Sequence, residues 1–466
     1  MSISQTLARF VAATDRAALG EREVTAAKEA ISDCIGCMVA GSRTEVGEIV
    51  RRVAQATSPD GSATVVGSER RIGPQAAALA NGAAAHALDY DDILWTLYGH
   101  PSVAILPATL AVAETVGASG SEVIMAYAIG VEIAGKLGRW VNPQHYEHGW
   151  HSTATIGVIG ATAAVAKLYR LDERQIAMAL GVAASEACGV RQNFGSMTKP
   201  FHAGDAARGA VLAVELARAG MTSSVQAFEG EFGWLDTLNA RTSPTADELQ
   251  AVLGQPWELV EPGIVLKRYP ACGCTHCALD AMIALKNEYG FSADEIESID
   301  CAAHPLAKKV LLHPRPRTGL EGKFSMEYCL AVAAIDGRAG RRHFELPWVA
   351  DPRVAALLPR ITFQTSNDLA ATASADAVPA EVTVRVGGRT LRRKVTVPSG
   401  DPRNPMTPAE RREKFLDCTD GIVAADRAGR LWADLERLDS VPELTSLMAA
   451  LRESCAGAVA PRGGVR

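Results

Sequence analysis

Small apolar residues at helical spacing run through roughly the first 260 residues of this 466-residue chain, and they leave few folds open. In "QTLARFVAATDRAAL", "EVTAAKEAISDCIGCMVAG", "PQAAALANGAAAHALDY", "ATLAVAETVGA" and "ATAAVAKLYRL" apolar positions recur every three or four residues, with Gly, Asp, Ser or Thr at the ends. Alanine and glycine on those faces let helix axes approach closely, which predicts a tightly packed, wholly helical domain. After about residue 265 the period changes. "ESIDCAAH" (Glu297–His304), "RITFQTS" (Arg360–Ser366) and "EVTVRVGGRTLRRKVTV" (Glu381–Val397) alternate or are rich in β-branched residues, and the last is a hairpin turning at Gly387-Gly388. Helical patterns intervene at "CALDAMIALKNEYG" and "FSMEYCLAVAAIDG", so this part reads as a smaller α+β domain. Helical periodicity returns from Pro408 to about Glu453. The predicted fold class is mainly α, with a discontinuous all-helical domain (1–265 and 403–466) and an α+β domain (266–402). The tail "AGAVAPRGGVR" reads as disordered.

A net charge of −6 provides no basic footprint for nucleic acid. A mildly acidic chain still binds anions where a cleft supplies the local field. No apolar run is long enough for a membrane span, and the N-terminus lacks the apolar core of a signal peptide. Ten irregularly spaced cysteines fit reduced thiols better than a disulfide framework, so a cytoplasmic enzyme is expected.

The stretch "HALDYDDILWTLYGHPS" places Asp89, Asp91 and Asp92 between His86 and His100. A solvated acidic turn is the ordinary explanation, but the flanks are apolar and "PSVAILPATLAVAE" starts a helix directly after His100. Backbone N–H groups at such a start attract anions. The same arrangement recurs in "GWHSTATIG" (His151), "GSMTKPFHAGDAARG" (Lys199 and His202, with Asp205 as the expected N-cap) and "YPACGCTHCALDA" (His276 beside Thr275). Four turns with His or Lys at a helix start predict convergent N-termini lined by proton-transfer groups, suited to a small polyanion. "CGCTHC" offers soft metal ligands in Cys272, Cys274, His276 and Cys277, but no matching second pair exists for structural zinc. "GVEIAGKL" (Gly130–Leu137) ends in Leu where a phosphate loop needs Ser or Thr, and it lies within a helical run. No nicotinamide fingerprint follows a strand.

Taken in order, "HALDYDD", "GHPS", "ILPA", "GWHSTATIG", "NFGSMTKPFHAG", "KRYPACGCTHCALDA", "KFSMEY" and "DPRNPMT" resemble the MmgE/PrpD family of 2-methylcitrate dehydratases, cis-aconitate decarboxylases and iminodisuccinate epimerases. The resemblance implies a helical domain built from both chain ends, an α+β lid, a homodimer and catalysis without metal or other cofactor. It also implies an active site between the domains, carried by Asp89, His100, His151, Lys199, His276 and Tyr328. Arg191 in "GVRQNFG" departs from the family's pattern, while "LYGHPS" is closer to the dehydratase branch.

These reactions all develop negative charge beside a carboxylate while a proton moves. His151 or His276 is expected to act as base, with the other or Tyr328 as acid; Asp89 and His100 complete the catalytic group. Lys199, Arg191 and His202 are expected to bind substrate carboxylates. The expected activity is dehydration of a 2-methylcitrate-like hydroxy acid. Decarboxylation or epimerisation of a related polycarboxylate and a non-catalytic organic-acid binder are the alternatives.

Overall fold

The computed structural model describes residues 1–238, 244–371 and 377–453, so the tail at 456–466 lies outside the described residues. The chain is predominantly helical, with a small sheet-containing region. Helices Ile3–Ala13, Glu21–Gly41, Glu45–Thr57, Pro74–His86, Pro101–Val116, Gly120–Val141, Gly157–Leu168, Glu173–Ser185 and Thr198–Arg218 surround one large apolar core. Alanine-rich faces set its geometry. Pro74–His86 and Thr198–Arg218 meet at Gly82 and Gly204, where a β-carbon on Gly204 would lie 2.3 Å from the Leu79 carbonyl oxygen. Only bare backbones pack that closely.

Helices Pro408–Thr419 and Ala425–Glu436 return to this core, where Phe415 and Leu431 join Ile31 and Ile35. Lys414 ties the return down. Its Nζ lies 2.6 Å from Asp33 Oδ1 and donates to the Tyr90 carbonyl at 2.7 Å.

A second core forms from residues between Tyr269 and Leu391. Its sheet has four strands, with Ile361–Thr365 at one edge, then Ile296–Ala303, Ala380–Val386 and Arg389–Val395. The first pair is parallel, with Ile299 opposite Ile361, and the others are antiparallel, with Cys301 opposite Val382. Ile299, Cys301, Val382 and Val384 are buried, and the helices His276–Tyr289 and Met326–Asp336 belong to the same core. The hairpin turns at Gly387 and Gly388, whose φ values of 56° and 71° are the left-handed pair a two-residue turn needs.

Two local expectations differ from the structure. A two-stranded ribbon, Asp60–Thr64 with Arg71–Ile72, interrupts the helical part. It is held by Glu114, which accepts from the Thr64 amide at 2.6 Å and its hydroxyl at 2.8 Å. Asp205 is not an N-cap, because the helix already begins at Thr198. Pro200 fits the first turn, where no intrahelical N–H donor is needed, and Asp205 instead accepts from Arg208 at 2.8 Å.

Candidate active site between the two cores

Three helix starts converge on one cavity. His100 is the N-cap of Pro101–Val116, His151 that of Ser152–Thr155, and Lys199 lies in the first turn of Thr198–Arg218. Asp89, His100, His151 and Lys199 line the cavity from the first core; Cys272, Cys274 and Phe324 line it from the side of the second.

Asp89 is the hub. Its Oδ1 accepts from Lys199 at 2.8 Å and from Lys267 at 2.9 Å, and Lys267 also donates to the Asp89 carbonyl at 2.8 Å. Those bonds hold Asp89 at a φ of 50°, a left-handed conformation that aspartate adopts more readily than most residues other than glycine. Burial opposes ionisation, but Lys199 and Lys267, followed by His100, hold this carboxyl well below the usual range. The second oxygen, Oδ2, is buried and has no partner.

Asp91 orients two imidazoles. It lies 2.9 Å from His86 Nδ1 and 3.1 Å from His100 Nδ1, and the latter also donates to the Asp92 carbonyl at 2.7 Å. Burial lowers the pKa of His86 to about 3 despite Asp91, so the ring is neutral and donates its Nδ1 proton. Asp92 faces away. It meets the Ser102 amide at 3.3 Å and hydroxyl, and burial raises its pKa to about 8.

His151 is buried beside the rings of His86, His202 and Phe194. Burial, then the neighbouring Lys199, pushes its pKa well below the ordinary histidine value, which leaves a neutral base. Its Nδ1 is 3.1 Å from His202 Nδ1, and its Nε2 is buried without a partner. His202 thus supports His151 from behind the cavity wall.

Four expected residues do not line the cavity: His202, behind His151, and His276, Tyr328 and Arg191. His276 heads the helix His276–Tyr289, but its Nε2 meets the Ala271 carbonyl at 3.2 Å and its ring packs on Tyr269. Its own turn presents Cys272 and Cys274 to the cavity instead. Tyr328 donates to the His343 carbonyl at 2.5 Å, within the second core. Arg191 sits over the Tyr146 ring, 3.8 Å from its centroid, and donates to that residue's carbonyl at 2.6 Å, one layer behind the wall.

Lys267 and Lys323 were not singled out by sequence reasoning, although both open recognised motifs, "KRYPACGC" and "KFSMEY". Lys323 donates to the Leu88 and Pro270 carbonyls, and burial lowers its pKa to about 7. His86, Asp89, Asp91 and His100 each offer a ligand atom within 4.8 Å of one another, a group that could take a metal ion. The two ammonium groups on Asp89 oppose a further cation there. In chemical terms the cavity offers neutral imidazoles, fixed cations and apolar walls from Trp95, Phe194 and Phe324.

Residues 5–246 match the MmgE/PrpD N-terminal domain and residues 269–438 the MmgE/PrpD C-terminal domain. The Homo sapiens protein named cis-aconitate decarboxylase is 26% identical over 461 residues, covering 96% of this chain and 94% of its own. A cis-aconitate decarboxylase of Aspergillus terreus is 29% identical over 330 residues, 66% of this chain and 67% of its own. The 2-methylcitrate dehydratase of Cupriavidus necator is 28% identical over 367 residues, 72% of each chain. Among the described residues no helix is long and apolar enough to cross a membrane.

Proposed function

Because the chain belongs to the MmgE/PrpD family, we propose that it is a metal-independent acid–base lyase acting on a small polycarboxylate, with decarboxylation of a cis-aconitate-like acid as its reaction. The observation that carries the proposal is His151, a neutral buried base with an unpartnered nitrogen on a cavity that also holds Lys199 and Lys267. The decarboxylase reading is favoured by the Homo sapiens relative of that name, which covers 96% of this chain against 72% for the dehydratase, and by the apolar walls. A carboxylate held against Trp95, Phe194 and Phe324 loses its hydration, and departure of neutral CO₂ relieves that cost.

In this reading Lys199 and Lys267 bind the carboxylates that stay. The polyanion adds negative charge beside His151 and His100 and raises their proton affinity, so binding itself loads the acid. When the C–C bond to the departing carboxylate breaks, its electron pair passes to the allylic carbon, which takes a proton from His151. Asp91 keeps His100 oriented, and Asp89 holds the two ammonium groups in place.

Dehydration of a 2-methylcitrate-like acid is the second reading, favoured by "LYGHPS" and by the Cupriavidus relative. There one histidine takes a proton from carbon while the other protonates the leaving hydroxyl. The reading also comprises a helical body of 1–265 and 403–466, a lid of 266–402, a homodimer and a cytoplasmic location.

Proton NMR of the protein with cis-aconitate, 2-methylcitrate, citrate and iminodisuccinate, in D₂O with EDTA, tests the proposal. Loss of a carboxylate from cis-aconitate, abolished in His151→Gln, is the expected result. Vinylic signals from 2-methylcitrate select the second reading, and deuterium exchange without net conversion indicates epimerisation. Turnover that stops with EDTA and returns with a divalent metal rejects the metal-free mechanism. Silence from every acid rejects the lyase and leaves a binder.

A further inference from the structure

The cavity wall contains a thiol that the proposed mechanism does not use. Cys272 and Cys274 both line the cavity, which Lys199 and Lys267 line as well. Cys272 is the N-cap of the short turn Gly273–Thr275, which runs directly into His276–Tyr289. Its amide donates to the Lys323 carbonyl at 2.9 Å, and its own carbonyl accepts from Thr275, so its backbone is fixed. Among the described residues Cys272 is the one cysteine whose thiol is pulled below its ordinary pKa. The Cys274 side chain donating to its sulfur is the largest cause, against opposition from burial and Asp89, with Lys267 and the Cys274 amide also favouring the thiolate. Exposed Cys188 is shifted the other way, by burial and then Asp205. Two other residues that line this cavity, Asp89 and His151, each keep a buried polar atom without a partner, Oδ2 and Nε2.

We propose that Cys272 is a covalent modification site for small carboxylate-bearing electrophiles, which Lys199 and Lys267 draw to its sulfur. The inference rests on the polyanion reading of the cavity. With an α-halo acid the thiolate attacks the α-carbon, the C–S bond forms, and the halide leaves with its electron pair. With an activated unsaturated carboxylate, sulfur adds to the β-carbon and the α-carbon takes a proton from water. Neither step needs an oxidant or reductant. Alkylation fills the cavity and blocks the proposed site.

The test treats the full-length protein with limiting iodoacetate or iodoacetamide and maps labelled peptides by mass spectrometry over time and pH. Cys272 should react before Cys188, and about tenfold faster with the anionic reagent than with the neutral one, the scale on which a charged cleft enriches a counter-ion. Cys188 should show no preference for iodoacetate. The midpoint of the Cys272 pH–rate curve should lie below that of Cys188 and rise in Cys274→Ala. The groups facing the sulfur are Cys274, Lys267 and Asp89, with Tyr146 beyond them. Labelling of Cys272 no sooner than Cys188 by either reagent overturns the proposal and leaves the polyanion reading standing. Fast labelling by both reagents without preference for iodoacetate overturns it too, and the polyanion reading falls with it.

Discussion

Lys267 is the residue on which the site's geometry turns. It is fully buried, and its two bonds to Asp89 hold both the left-handed backbone and the carboxylate. Lys267→Met should lower stability by about 3–5 kcal/mol, because a buried carboxylate loses one of its charge partners. Adding Asp89→Asn should recover part of that loss in denaturant titrations, and a double variant no more stable than the single would refute the account. Asp92 controls a separate response. Its folded-state pKa of about 8 exceeds the ordinary carboxylate value near 4, so between those limits the folded chain holds a proton the unfolded chain has released. Stability therefore falls as pH rises through that window. Asp92→Asn should flatten the decline in melting temperature, and an unchanged slope would place the proton elsewhere. The sequence made the cavity positions of His100, His151 and Lys199 legible because each sits at a helix start, and that of Asp89 because it stands in an acidic loop with apolar flanks. It did not tell that His276 and Tyr328 lie off the cavity wall, since a motif does not say which side of a turn faces the cavity. Cys272 and Lys267 won that position through the fold of the "KRYPACGC" segment across Lys323.

Among elements, the pairing of Pro74–His86 with Thr198–Arg218 matters most, because the second carries Lys199 and the first leads into Asp89. Gly204→Ala would push a methyl against the Leu79 carbonyl. We expect a loss of about 1–3 kcal/mol from overpacking, with reduced turnover as Lys199 moves from Asp89. An unchanged melting temperature would show that the helices separate without strain. This crossing was foreshadowed by the Ala/Gly faces, and the hairpin by its paired glycines. The ribbon of Asp60–Thr64 with Arg71–Ile72 was not, since a two-residue strand carries no period to detect and depends on a distant glutamate, Glu114. The start of Thr198–Arg218 was misplaced for a related reason: an aspartate inside a helix looks like a cap until its arginine partner is seen.

At the scale of the molecule, the cavity between the cores encloses about 70 Å³. That is under half the volume of a cavity of about 150 Å³ that binds benzene, so a tricarboxylate is expected to enter as the walls separate. The 267–274 segment is the wall expected to move. Its amides should exchange with D₂O through that opening and become protected by saturating cis-aconitate. Equal exchange with and without a ligand shown to turn over would argue for a rigid mouth.

Lys414 adds a consequence for how this site comes into being. Its ammonium holds the Tyr90 carbonyl, in the loop that bears Asp89, across a sequence separation of 324 residues. During synthesis Tyr90 leaves the ribosome long before Lys414 exists, so the nascent chain carries its acidic loop without its final anchor. The site therefore matures only after Lys414 has been made, and a chain stalled before Pro408 would present the histidines and lysines without the register that makes them a site.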